Sequence, residues 1–185
     1  MKPLIRDRSG HITQWQSSND ALTRLLAHQR HRLGVAVAMA ENIRDGIESL
    51  FPSMAALCLQ TCRFCPEPCC ITNTVWIDFR DLLLLHLIDD PVPARQVATG
   101  PGEACPFLNH SGCRLPWRVR PWMCVKYICP AQRAILKKDG RPDSAALYGD
   151  IDRIENQRLQ MEAEVLHRIR PKSRTWPSSS SAWLR

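Results

Sequence analysis

Apolar residues recur near the helical period through the first third of the chain. Leu22, Leu25, Leu26, Leu33, Val37, Ala40 and Ile43 are spaced by polar or charged positions, as along one buried stripe of a helix. Ser17, Ser18 or Asn19 is placed to cap such a helix, beginning at Asp20. Pro52 should stop it. A shorter helix from Ser53 to about Gln60 would then carry Cys58 and, one turn on, Cys62, before Pro66 and Pro68 force the chain out of helix. Thr74 to Ile77 predicts a short strand, and Asp78 is placed to cap an amphipathic helix from Phe79 to Ile88, which Pro91 and Pro93 end. Residues 94–130 have no period and are dense in Pro, Gly, Trp and Cys, so they predict an irregular region organised by its ligands. Helix resumes from Ala131 to Lys138, closing at Gly140. It resumes again from Asp143 to about Ile169, with Leu147, Ile151, Ile154, Leu159, Met161, Val165 and Ile169 on its apolar face and Pro171 as its stop.

These elements predict a mainly α fold: a small helical domain with an irregular cysteine-rich metal-binding region and little β structure. At 185 residues the chain fits the usual ~100–200 residues of one domain. The expected division is a flexible basic N-terminus over 1–18, a single helical domain over 19–170 with its cysteine cluster at 58–130, and a disordered basic Ser-rich tail over 171–185. The longest near-apolar stretch, Leu33 to Ala40, is far short of the roughly 20 residues that span a bilayer. No membrane association is expected.

Cysteine placement changes the picture most. Eight of the nine cysteines fall into two groups, Cys62, Cys65, Cys69 and Cys70, then Cys105, Cys113, Cys124 and Cys129. Thiolates this close in sequence can converge on a cation because the short loops between them cost little closure entropy. Disulfides are the competing use. The first eight residues carry charge without an apolar run behind it, which does not read as a secretory signal, and nine is an odd number. The chain is therefore expected in the reducing cytoplasm, with its thiols free to bind metal.

Eight thiols suit two four-thiolate centres, or one cluster plus further thiols. The gaps of Cys62-x2-Cys65-x3-Cys69 match neither radical-SAM loops nor the even run of bacterial ferredoxins. Neighbouring side chains diverge, so Cys69 and Cys70 are not expected on one tetrahedral ion; one joins Cys62 and Cys65 and the other turns toward the second group. The metal is zinc or an iron–sulfur cluster, and spacing leaves that open.

The net charge of +7, from 25 Lys and Arg against 18 Asp and Glu, raises nucleic acid as a partner. Much of the excess lies at the two ends, and no recognition helix with basic periodicity accompanies Arg114, Arg118 and Arg120, so nucleic acid is disfavoured. No acidic residue lies between Cys105 and Cys129, and the cations there are placed to offset thiolate charge.

The blocks Cys62-x2-Cys65-x3-Cys69-Cys70, Cys105-Pro106-Phe107-Leu108, Gly112-Cys113 and Arg120-Pro121-Trp122-Met123-Cys124 resemble the YkgJ-type cysteine-cluster family, named for its CxxCxxCC motif. The resemblance covers roughly residues 58–130 and implies a zinc- or iron-chelating protein. Two departures are visible: the gap before Cys69-Cys70 is three residues where the family usually has two, and Arg114-Leu115-Pro116 replaces the aromatic motif after Cys113. Flagellin lysine N-methylases carry a similar signature, so the resemblance also implies a protein-modifying enzyme as an alternative, with the metal assisting chemistry on a protein substrate. A further alternative is a zinc-stabilised adaptor that holds a protein or nucleic acid on the long C-terminal helix and basic tail.

The metal ligands expected are therefore Cys62, Cys65, Cys69, Cys70, Cys105, Cys113, Cys124 and Cys129, with Cys129 the one that the motif blocks do not require. Cys58 lies on the apolar run Met54, Ala55, Leu57 and Leu59 and reads as core packing, with ligation left open. His110 reads as an exposed loop residue, with replacement of a thiolate left open. His86 reads as half-buried in its helix, and His28 and His31 as solvated. Around the metal, Arg120 would offset thiolate charge, Pro121 would fix the turn that aims Cys124, and Asp78 would orient a ligand or simply cap its helix. Trp117 and Trp122 would shield the site from water. No phosphate-cradling loop, zincin histidine pair or serine nucleophile elbow is present in the sequence.

Overall fold

A computed structural model describes residues 8–62, 65–97, 105–109, 112–138 and 142–170. The chain is mainly helical. The helices are α1 (Arg8–Gln29), α2 (Gly34–Thr61), α3 (Cys69–Thr72), α4 (Phe79–Leu87), α5 (Trp122–Lys126), α6 (Pro130–Lys138) and α7 (Pro142–Ile169). Strands β1 (Leu108–Asn109) and β2 (Gly112–Cys113) form an antiparallel ribbon with Leu108 opposite Cys113. No helix among the described residues is long and apolar enough to cross a membrane.

The first helix starts earlier than its cap signals predict. Ser17, Ser18 and Asn19 lie inside α1, because the Ser17 hydroxyl donates back to the Gln14 carbonyl and the Asn19 amide to the Trp15 carbonyl. A side chain bonded to the preceding turn cannot cap the following one. The boundary drawn at 18/19 therefore falls mid-helix, and from Arg8 onward the expected flexible segment is helical. Trp15 anchors this stretch, its indole N–H donating to the Pro93 carbonyl at 2.9 Å.

The apolar run that continues past Leu26 is split by a turn at Arg30–Arg32, and fully buried Leu33 leads into α2. Helix α2 does not stop at Pro52. Ala36, Ala40, Ile43, Ile47, Leu50, Met54 and Leu57 form one buried stripe across it, while Pro52 itself is exposed on the outer face. Proline inside a helix costs about 3 kcal/mol, and burying two or three further apolar side chains at about 1.5–3 kcal/mol each offsets that.

Helix α7 crosses α2 at Gly46, where an added Cβ would stand 3.2 Å from Ile154 Cγ1; hydrogen there is what lets the backbones approach. The buried stripe of α7 runs Leu147, Ile151, Ile154, Arg158, Met161 and Val165. Leu159, expected on that face, is 43% exposed, and Arg158 takes the core position with 0% exposure. Its guanidinium donates to Asp81 Oδ1 at 2.8 Å and to Asp78 Oδ1 at 2.9 Å, and it lies 5.7 Å from the centre of the Trp122 ring.

Asp78 caps α4 as predicted and closes a capping box with Asp81: each carboxylate accepts the other's backbone N–H. The segment before it, Thr74 to Ile77, is not a strand. The Gln96 side chain pairs with Ile77, its oxygen accepting from the Ile77 N–H at 2.6 Å and its amide donating to the Ile77 carbonyl at 3.0 Å. Residues 105–130, expected to be irregular, hold the ribbon, a 3-10 turn at Trp117–Val119 and α5 among their described parts.

Replacing Arg158 by Met should destabilise the protein by about 3–5 kcal/mol, because Asp81 would be left buried without its cation. Arg158→Lys should recover only part of this, since an ammonium cannot bridge two carboxylates as a planar fork does. Urea unfolding followed by circular dichroism measures both.

Candidate metal centre

The cysteines sit at or near the ends of α2, α3, α5 and α6 and on or near the ribbon. Cys58 sits in the last turn of α2 and Cys62 is its C-cap, donating its N–H to the Cys58 carbonyl. Cys65 follows, its N–H donating to the Cys62 carbonyl at 3.3 Å. Pro68 then caps α3, which opens on Cys69 and Cys70. The two sequence groups are joined by one backbone bond, from the Cys105 N–H to the Cys70 carbonyl at 2.9 Å. From Cys105 the ribbon turns back to Cys113, and Pro121 starts α5 so that the Cys124 N–H donates to the Pro121 carbonyl at 2.8 Å.

Several of these sulfurs lie within electrostatic reach of one another. The Cys58 thiol is a hydrogen-bond partner of Cys62 and also feels Cys69. The Cys69 and Cys70 thiols are hydrogen-bond partners, Cys70 feels Cys105 and Cys124, and Cys124 feels Cys113, Cys105 and Cys69. Cys69 and Cys70 open α3 side by side, where the two thiols influence each other's ionisation. All nine cysteines are free thiols, with Cys58, Cys62, Cys113 and Cys124 exposed and the others half-buried.

Crowding separates the thiols chemically. The hydrogen bond from Cys70 holds the Cys69 thiol down to about 6, and by the same bond, aided by burial, Cys70 is pushed well up. Cys124 reaches solvent on one side, yet the protein around it and the neighbouring sulfurs push its thiol up to about 12. Burial and then Cys62 push Cys58 up to about 11.

Cys58 is therefore misread as a packing residue. It is exposed, while Met54 and Leu57 carry the buried face of α2, and the Gln132 amide donates to its sulfur at 3.7 Å. Gln132, only 3% exposed, also ties down Cys129. The Cys129 N–H donates to Gln132 Oε1 at 3.0 Å, and the Gln132 N–H donates to Cys129 Sγ at 3.5 Å, a reciprocal cap at the start of α6. A glutamine three residues after Cys129 is the sequence signal that marks this cap.

The cations around the site have further partners. The Arg120 Nε–H donates to the Leu115 carbonyl at 3.1 Å and its guanidinium stacks 5.8 Å from the centre of the Phe51 ring. Arg118 pairs with Glu48 at 3.2 Å and Lys126 with Glu155 at 2.8 Å. Acidic partners missing between Cys105 and Cys129 come instead from α2 and α7, which local sequence does not reveal. Pro121 has the expected place, fully buried at the start of α5. Trp122 is buried and held at both ends, its backbone N–H donating to Asp81 Oδ1 at 3.0 Å and its indole N–H to Glu155. Trp117 is half-buried and packs on Phe51 with ring centres 4.9 Å apart. Asp78 serves its helix and Arg158. His86 is half-buried, bonded at Nε2 to Asn19 Oδ1, and His28 and His31 are exposed, as expected. His110 lies outside the described residues.

Soft sulfur donors in this number fit a thiophilic cation. Among the described residues no three His, Cys, Asp or Glu side chains are grouped as a ready-made ion cage. Donor chemistry fits; closure around an ion is not drawn.

In the metal-free protein, Cys69 should be the first of these thiols alkylated by iodoacetamide at pH 7, ahead of Cys70 and Cys124. Only the thiolate reacts, so its rate should fall as pH drops through about 6. Peptide mass spectrometry over a pH series reads this directly.

No family model, curated protein or solved structure matches the chain.

Proposed function

We propose that this is a cysteine-cluster metal protein, binding zinc or an iron–sulfur centre through thiolates drawn from Cys62, Cys65, Cys69, Cys70, Cys105, Cys113, Cys124 and Cys129. The observation that carries the reading is the backbone bond from the Cys105 N–H to the Cys70 carbonyl, which ties the second cysteine group to the first. Free thiols that repel one another when ionised gain most from a shared cation. Thiolate ligands persist in a reducing compartment, and the cytoplasm is the proposed location.

The chain's own residues divide the work of the site. Pro68 and Pro121 start the short helices that present Cys69, Cys70 and Cys124. Asp81, by accepting the Trp122 N–H, locks α5 to α4 and so fixes Cys124 against the first group. Zinc bound by these thiolates would supply a structural cross-link, whereas an iron–sulfur centre would supply electron transfer.

Anaerobic purification with metal analysis and a visible spectrum tests the reading. A brown protein absorbing in the iron–sulfur charge-transfer region identifies a cluster, and a colourless one with stoichiometric zinc identifies a closed thiolate site. Cys124→Ser and Cys70→Ser should each lower the metal content by at least about half if two centres are filled. A chain that neither retains nor takes up thiophilic metal overturns the proposal.

A further inference from the structure

Cys58 stands outside the motif blocks, yet four features tie it to the sulfur region. It precedes Cys62 by four residues on α2, which puts both side chains on one helix face at the end nearest α3. Its thiol lies within electrostatic reach of those of Cys62 and Cys69. It is exposed, so packing does not account for it. Finally, a buried amide is aimed at its sulfur: Gln132 donates from Nε2 while its Oε1 holds the Cys129 N–H. A fixed N–H donor onto sulfur is the kind of outer contact that orients a thiolate ligand.

The backbone places the sulfurs on two sides of the Cys69–Cys70 peptide bond. Cys70 is tied to Cys105 by the Cys105 N–H to Cys70 carbonyl bond, and with Cys113 on the ribbon and Cys124 on α5 this side numbers four, enough to fill a tetrahedral site. Cys58, Cys62 and Cys69 form the other set, beside Cys65 and Cys129. Resting on the metal-binding reading above, we propose that Cys58 is a ligand of a second thiolate centre shared with Cys62 and Cys69, and that Gln132 positions its sulfur. The fourth donor comes from Cys65 or Cys129. Each thiol that binds gives its proton to solvent.

Cobalt(II) added anaerobically to the metal-free full-length chain is the probe, because thiolate-to-cobalt charge transfer grows with the number of sulfurs bound. The natural chain should bind about two equivalents, one per tetrahedral site. Cys58→Ser should weaken one of them by at least about tenfold, no less than the loss of an outer contact does. It should leave intact the equivalent that Cys113→Ser removes. Circular dichroism checks that both variants keep their helices. Differential alkylation needs no variant: cobalt should protect Cys58 from iodoacetamide, and whichever of Cys65 and Cys129 is also protected is the fourth donor. If cobalt binds the natural chain but Cys58→Ser binds it identically, or Cys58 is labelled equally fast with and without cobalt, the inference falls and the metal reading stands. If the natural chain binds no cobalt, both fall.

Discussion

A guanidinium with no solvent exposure sits where α4, α5 and α7 meet, between Asp78 and Asp81. Removing such a charge from water costs several kcal/mol, and only close, well-directed anions offset it. Asp81 is the critical partner. Burial pushes its carboxyl above the usual carboxylate range, and Arg158 works against that push. The same Asp81 oxygen that meets Arg158 accepts the Trp122 N–H, so one carboxylate joins a core position of α7 to the first residue of α5. Glu155, one turn before Arg158, adds a second tie: although burial opposes its ionisation, Lys126 and Trp122 hold its carboxyl below the usual range.

The sulfur region depends on this junction. Helix α5 has five residues, too few to hold its shape alone, and it carries Cys124. Its ties to Asp81 and Glu155 give Cys124 a fixed position against Cys69 and Cys105. On the opposite side, Gln132 does a comparable job for Cys58 and Cys129 with a neutral group. The thiols thus lie between a charged junction built on α7 and an amide clamp built on α6, while α2 supplies the rigid edge. A soft cation there would find sulfur donors whose competing hydrogen bonds are individually weak.

How far the sequence could be read depended on the range of the forces involved. Asp78 as the cap of α4 and the start and stop of α7 follow from contacts within a turn or two. Spacing also marked two groups of cysteines, which the Cys105 N–H to Cys70 carbonyl bond joins. It failed at Ser17–Asn19 and at Pro52, where local signals for a start and a stop were overruled by burial along α1 and α2. It failed again at Cys58, whose apolar neighbours suggested a core position although the thiol points to other sulfurs and to Gln132.

The positions 158 and 159 show where the division lies. By itself the sequence determined a mainly helical chain, its major caps and two clusters of thiols, because propensity, capping and loop closure act over a few residues. It could not determine that Arg158 goes into the core while Leu159 stays at the surface, because the anions that make this favourable arrive from a helix some eighty residues away. Only the tertiary structure decided that exchange, and with it which sulfurs face one another: burial of a charge is favourable solely in the presence of partners that folding itself supplies.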